Sequence, residues 1–299
     1  MCPERRLLWL CCALVLAACT KPATSLVPEA GAPPPVRLDF RPPVDRAMTQ
    51  RVQSSRVVER GGARLSEEAE MTTVTRFTPA ENGWQLVQTV SRARMLRAGT
   101  PLETVVDDVL TRFALHVRLA ADGAFVKVVN ADEGLKALRQ VLPAGGQPGP
   151  LEAFFAPESI ETRTRRDWLA RFGGLLQRNL TVGQHTWGVD SFSTGEGEVV
   201  YLVQRTVTGT ELTDQGDALV LSLRCLDSVP EDAPAELREA MEEAGGPALT
   251  PGVTCEGEQA VARGYFVPVR RSITVRAKVG DATWTLSTQT KLEMLEEAR

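Results

Sequence analysis

Apolar and polar side chains alternate with a period of two along most of the chain after residue 50, and this pattern predicts long antiparallel strands. Arg51–Arg60 runs to a Gly61-Gly62 turn. Arg64–Phe77 follows, with Met71, Thr73, Thr75 and Phe77 on one face and Thr72, Val74 and Arg76 on the other. Pro79-Ala80-Glu81-Asn82-Gly83 is a turn of the Asn-Gly type, and Trp84–Met95 returns, Trp84, Leu86, Gln88 and Val90 alternating against Gln85, Val87 and Thr89. A second hairpin is sharper: Leu115–Leu119 alternates strictly, Ala121-Asp122-Gly123 turns, and Phe125–Val129 runs back. His185–Phe192, Glu198–Val207 and Ala218–Asp227 read as a meander, and Gln259–Val267, Arg271–Val279 and Thr283–Leu292 as the last strands, with a Gly280-Asp281 turn in the final pair.

The period changes at Ala131. In Asp132–Leu142, Leu135, Leu138, Val141 and Leu142 fall on one helical stripe. Pro143 to Pro150 is a Gly/Pro loop. Glu158–Arg178 reads as a second helix behind Pro157, with Trp168, Leu169, Phe172, Leu175 and Leu176 on its apolar face, arginines elsewhere and a bend at Gly173-Gly174. Residues 228–254 form an insertion with an acidic helix, Pro234–Ala244, ended by Gly245-Gly246-Pro247. The expectation is a mainly β, α+β domain over residues 47–299. It has roughly ten antiparallel strands in one large curved sheet. Two central helices pack on one of its faces through Leu135, Leu138, Trp168, Leu169 and Phe172.

The first 46 residues follow another rule. Arg5 and Arg6 precede an apolar run, Leu7 to Ala18, that is too short for the about 20 residues needed to span a bilayer. Small residues at Ala17 and Ala18 lead into Cys19. Leu16-Ala17-Ala18-Cys19 resembles the lipobox that ends the signal peptide of bacterial lipoproteins. The resemblance implies that residues 1–18 are removed and that Cys19 becomes the first residue, carrying a diacylglyceryl group and usually an amide-linked acyl chain such as palmitate. Two or three such chains hold a protein stably on a membrane. The same residues also fit an ordinary secretory signal with a chance cysteine, or an uncleaved anchor. By the sorting rule of enterobacterial lipoproteins, Thr20 rather than Asp after the anchor resembles delivery to the outer membrane. Residues 19–46, with prolines from Pro22 to Pro43, read as an extended tether, to which Val36, Leu38 and Phe40 could add a short edge strand.

Composition narrows the classes. A net charge of −4, a unit more negative without Arg5, Arg6 and Glu4, argues against nucleic acid as a partner. The chain has two histidines, His116 and His185. His116 stands on a polar strand face with no ligand set at metal spacing. No hydrolase elbow, phosphate loop or calcium loop occurs, so neither an enzyme nor a metal or other cofactor is expected. Once Cys19 is acylated and the leader with Cys2, Cys11 and Cys12 is gone, Cys225 and Cys255 remain, and the expectation in an oxidising compartment is a disulfide that staples the base of the insertion, the alternative being two separate buried cysteines that act as small hydrophobes.

The order strands, helices, strands over about residues 48 to 295 resembles the half-barrel fold of LolA-, LolB- and LppX-type lipoprotein and lipid carriers, and is shared with a class of uncharacterised bacterial lipoproteins. Two functions follow. One is a half-barrel that takes an apolar or lipid-like ligand in a cavity lined by Trp84, Phe125, Trp168, Phe172 and Trp284. The other is a structural or interaction lipoprotein with a filled core and an exposed face for an envelope protein.

Overall fold

Long alternating segments joined by tight turns can satisfy their backbone groups only by pairing with neighbours, and here nearly every one pairs with the next in sequence. The computed structural model describes residues 34–297 except 103, 143–148, 195–196, 230 and 232, and Pro35–Arg299 forms one compact unit. The predicted leader, Cys19 and the tether before residue 34 lie outside the described residues.

The unit opens with β1 (Val36–Arg37), followed by β2 (Arg46–Arg60), β3 (Ala63–Ala80), β4 (Gly83–Arg97), β5 (Thr100–Leu102), α1 (Val105–Arg112), β6 (Leu115–Ala120) and β7 (Phe125–Val128). The helical middle holds α2 (Asp132–Val141), α3 (Gly149–Phe154) and α4 (Pro157–Phe172). Then come β8 (Asn179–Leu180), β9 (His185–Thr194), β10 (Gly197–Thr213), β11 (Gly216–Leu226), α5 (Ala235–Glu243), β12 (Thr254–Ala262), β13 (Val267–Val279) and β14 (Ala282–Glu297).

Twelve strands form one antiparallel sheet in the order β7-β6-β4-β3-β2-β14-β13-β12-β11-β10-β9, with β5 added on β4. The mainly β architecture is thus as expected, but with more strands than the predicted ten or so. β2 starts at Arg46, and two helices, α1 and α3, join the two read from the sequence in the middle of the chain. Thr104 caps α1 by accepting from the Asp107 N–H at 3.1 Å, and Val105, Val106 and Val109 fall on one short apolar stripe. The loop predicted at 143–150 lies mostly outside the described residues.

The sheet curls without closing. On a flat sheet β13 and β9 would lie about 19 Å apart, four spacings of roughly 4.8 Å. Yet Arg271 of β13 reaches Asp190 of β9 at 3.3 Å. Bulges at Val207/Gly209, Ala260/Val261, Leu292/Met294 and Thr72/Thr73 bend the strands. Helix α4 packs against both β7 and β9, the two ends of the strand order, and so spans the opening.

Two expectations are corrected. The second helix stops at Phe172 rather than running to Arg178. Gly173 caps it, Gly174 takes a φ of 67° and Gln177 one of 60°, so the glycines end the helix where a bend was expected. The tether does not reach residue 46. Val36 and Arg37 pair with Leu180 and Asn179 in a separate two-stranded sheet, and Leu38, Phe40, Pro42 and Pro43 are buried. Proline density marks a lack of helix or ladder, but it does not keep the intervening apolar side chains out of a core that lacks a filler.

A candidate ligand face on the inner side of the sheet

Cross-strand register sorts the inner face into three zones. At one end lies an apolar core. Phe77 stands opposite Leu86, and Leu86 opposite Val117, while Met48, Val207, Leu221 and Val261 join them from other strands. Phe40 sits at its centre. Its ring lies 5.9 Å from Phe77, 6.4 Å from Trp84, 6.2 Å from Trp168 and 4.8 Å from Phe266, centroid to centroid. These are edge-on or tilted contacts, the arrangement aromatic quadrupoles favour.

Four of the five aromatic residues predicted to line a cavity come together around this zone. Trp84, Trp168 and Phe125 pack on it half-buried, and Phe172 is inside it. Trp168 donates from Nε1 to the Gly123 carbonyl at 3.0 Å, and Arg165 stacks 4.9 Å from the Phe125 ring centre. Trp284 is not among them: it lies on β14 opposite Ala277 and Val58, in the far zone. The predicted helix contacts also divide. Leu138 and Leu135 meet Val109, Phe155 and Ile160, while Leu169 meets Val189 and Leu237.

The middle zone is a buried polar belt. Arg205, fully buried, lies opposite Thr186 and Leu223. Its Nη1 donates to the carbonyls of Leu169 at 2.8 Å and Ala170 at 2.6 Å, its Nε to Thr186 Oγ1 at 3.1 Å, and its Nη2 to the carbonyls of Gly173 and Trp187. All five donors are used. The cation therefore answers the C-terminal carbonyls of α4, where the helix carries partial negative charge. Burial still pushes its pKa down to about 9. Beside it, Arg271 pairs with Asp190. Burial raises the Asp190 carboxyl above its usual range against the pull of Arg271, and burial followed by the Asp190 charge raises the Tyr201 phenol. Gln259 stands opposite Arg271, Arg271 opposite Thr290, and Gln259 donates to the Arg171 carbonyl at 2.9 Å.

Beyond the belt the inner face turns apolar again. On β9 to β13 it carries Val203, Leu223, Ile273, Val275 and Ala277, all buried, with the Cys225–Cys255 disulfide among them, its Cα atoms 4.9 Å apart. On β14, β2 and β3 the same face continues as Leu286, Thr288, Ser54, Ala69 and Met71, all half-buried. At its edge Glu67 is held by Arg56 (Nε, 3.0 Å) and Arg97 (Nη2, 2.6 Å), and the Arg56 guanidinium lies 5.7 Å from the Trp284 ring centre. Burial pushes the Glu67 carboxyl up, but the hydrogen bonds and charges of the two arginines outweigh it and hold the group below the usual glutamate range. The belt and this edge network were missed from the sequence, because single polar residues inside alternating strands look like the wet face of a sheet.

Two clefts are mostly polar. One of about 150 Å³ lies among Arg51, Glu70, Met71, Thr72, Arg92 and Glu293, and one of about 400 Å³ among Glu158, Glu161, Thr162 and Arg165. His116 meets Gln85 and His185 meets Thr206. Among the described residues no group of three or more His, Cys, Asp or Glu gathers as a metal site would, and no helix is long and apolar enough to cross a membrane.

No family model matches the sequence, and no curated protein matches it. Several solved structures align with most of the chain at low identity and low TM-score. A lipovitellin structure aligns with a TM-score of 0.49 at 10% identity, covering 87% of this chain and 26% of its own, so the chain spans about a quarter of that protein's length. A structure described as an exported protein with a YmcC-like fold, from Bacteroides fragilis, gives 0.26 at 10% identity, covering 88% of this chain and 100% of its own. An outer membrane lipoprotein-sorting protein domain from Vibrio parahaemolyticus gives 0.21 at 9% identity, covering 83% and 85%. At such scores the reading of the inner face rests on its own residues.

Proposed function

We propose that the chain is an exported, non-enzymatic binding protein of the cell envelope, and that its open sheet holds an apolar or lipid-like ligand on the inner face beyond the polar belt. One observation carries this reading. Leu286, Thr288, Ser54, Ala69 and Met71 form a half-buried strip across β14, β2 and β3 on that face, while the contacts of α1, α4 and α5 with the sheet fall mainly on β4, β7 and β9. Ligand sites are commonly concave, mostly apolar and edged by a few placed polar groups, here Glu67 with its arginines on one side and the belt on the other. The anchor belongs to the same proposal: residues 1–18 as signal peptide, Cys19 as the acylated residue, the proline-rich stretch before Pro35 as spacer, and the outer membrane as destination.

Extraction from membranes in a mild detergent followed by native mass spectrometry tests the ligand. The expected spectrum holds a species heavier than the acylated chain by one lipid. A single unliganded species decides against it.

The alternative, an interaction lipoprotein with a filled core, has its own support. Phe40 fills the aromatic zone where a cavity was expected, and Leu212 (83% exposed), near the end of β10, and Tyr265 (58% exposed), in the turn between β12 and β13, stand at that end of the sheet. This reading expects an unliganded mass and a specific protein crosslink in intact cells through those two residues.

A further inference from the structure

Three neighbouring positions of the polar belt have buried polar atoms with no partner. They are Gln259 Oε1, Arg271 Nε and Thr290 Oγ1, on residues 2%, 8% and 5% exposed. Gln259 lies directly opposite Arg271, and Arg271 directly opposite Thr290, so the three stand side by side across β12, β13 and β14. All face inward: Gln259 shares its face with Leu221 of the apolar core and donates to α4, and Arg271 crosses to Asp190. An unpartnered polar atom in such a place normally marks a missing partner. The next inward positions on the far side are Ile273 and Thr288, which begin the apolar strip.

We propose that the trio receives the polar head of an amphiphile whose chain lies along that strip. This rests on the apolar-ligand reading above and adds the chemistry of the head. The atoms define it. Arg271 Nε–H needs an acceptor, Gln259 Oε1 needs a donor, and the Thr290 hydroxyl takes either. The head therefore carries both a donor and an acceptor. It is also uncharged. Asp190 already answers Arg271, and the five donors of Arg205 are taken by carbonyls and Thr186, so a further full charge would be buried without a partner. A hydroxyl-bearing ester such as the glycerol head of a monoacylglycerol fits; a methyl ester lacks the donor. From Thr290 to Trp284 the strand advances six residues, about 20 Å, a length suited to one acyl chain.

The test compares 1-monomyristoylglycerol with methyl myristate on the purified full chain, by quenching of tryptophan fluorescence, in the native protein and in Thr290→Val. The native chain is expected to bind the monoacylglycerol at least about tenfold more tightly, the worth of one well-made hydrogen bond. Thr290→Val removes a hydroxyl that is unpartnered without ligand, so its unfolding midpoint should hold or rise while the preference shrinks. That opposite pair of signs is what a purely structural threonine would not produce. Equal binding of the two lipids by the native chain, or an unchanged preference in the valine variant, overturns the head-group assignment, the belt then holding water only, and leaves the apolar strip standing. Binding of neither lipid overturns both.

Discussion

Gly188 of β9 lies directly beneath Ala170 of α4: a Cβ on the glycine would stand 2.8 Å from the Ala170 Cα and 2.3 Å from the Leu169 carbonyl oxygen. Both contacts are with backbone and neither can swing away. The absence of a side chain at 188 lets the helix settle close enough for Arg205 to reach its last carbonyls. Gly188→Ala should lift the helix and cost about 1–3 kcal/mol. Urea titration checks it, with a lower midpoint and an unchanged slope as the expected result.

Arg205→Met tests the cation under that helix. Methionine keeps much of the volume but leaves the carbonyls of Leu169, Ala170, Gly173 and Trp187 without their donor. Removing one side of such a buried arrangement costs on the order of 3–5 kcal/mol. A loss below about 1 kcal/mol in the same titration would mean that other donors replace the guanidinium.

Phe40→Ala should cost about 3–5 kcal/mol, the range for emptying a large aromatic site in a core. If residues 36–43 were part of a tether, the same change would leave the melting curve where it was.

The disulfide closes a loop of sequence separation 30, for which loop entropy predicts roughly 3–4 kcal/mol of stabilisation, less any strain. Denatured but unreduced protein from the cell envelope should show no titratable thiol at Cys225 or Cys255, and a reductant should lower the unfolding midpoint. Cys19→Ala should release the domain from membranes or stall its processing. A mature variant still membrane-bound after a high-salt wash would sink the lipobox reading.

Glu67 sets a pH signature. Its pKa is depressed in the folded protein, so its stabilising share is present above the unfolded value of about 4.3 and is lost as pH falls through the lower folded value. Asp190 acts with the opposite sign, because its raised pKa makes the folded state the stronger proton binder in the window just above the unfolded aspartate value. Glu67→Gln should therefore flatten the acid limb of a stability–pH curve. An acid limb as steep as in the native chain would show that Glu67 does not set it.

Much of the sheet was legible because its determinants are local. Alternation at Leu219, Leu221, Leu223 and Cys225, and turns at Gly61-Gly62, Asn82-Gly83 and Asp122-Gly123, specify strand and hairpin without knowledge of the partner. The disulfide was legible by elimination. What stayed hidden depends on distant partners. Leu38 and Phe40 sit in a proline-rich stretch, and only the empty centre of a curled sheet makes them core. Arg205, Gln259, Arg271 and Thr290 follow the alternation faultlessly, yet they occupy the face that a pattern of apolar residues labels dry. The candidate site could not be read from the sequence because Arg271 and Asp190 are 81 residues apart and meet only through curvature.

The seating of Phe40 also fixes an order of events. Its ring touches Phe77, Trp84, Trp168 and Phe266, and β2 just after it lies between β3 and the last strand, β14. A chain delivered from its N-terminus presents Phe40 early, long before Phe266 and β14 exist to receive it. Phe40 can complete its set of ring contacts only once Phe266 is in place, and until then that end of the curled sheet lacks part of its core. Contacts of such long range slow folding and prolong the exposure of unpaired strand edges. A chaperone that shields unpaired strand edges would act on that interval.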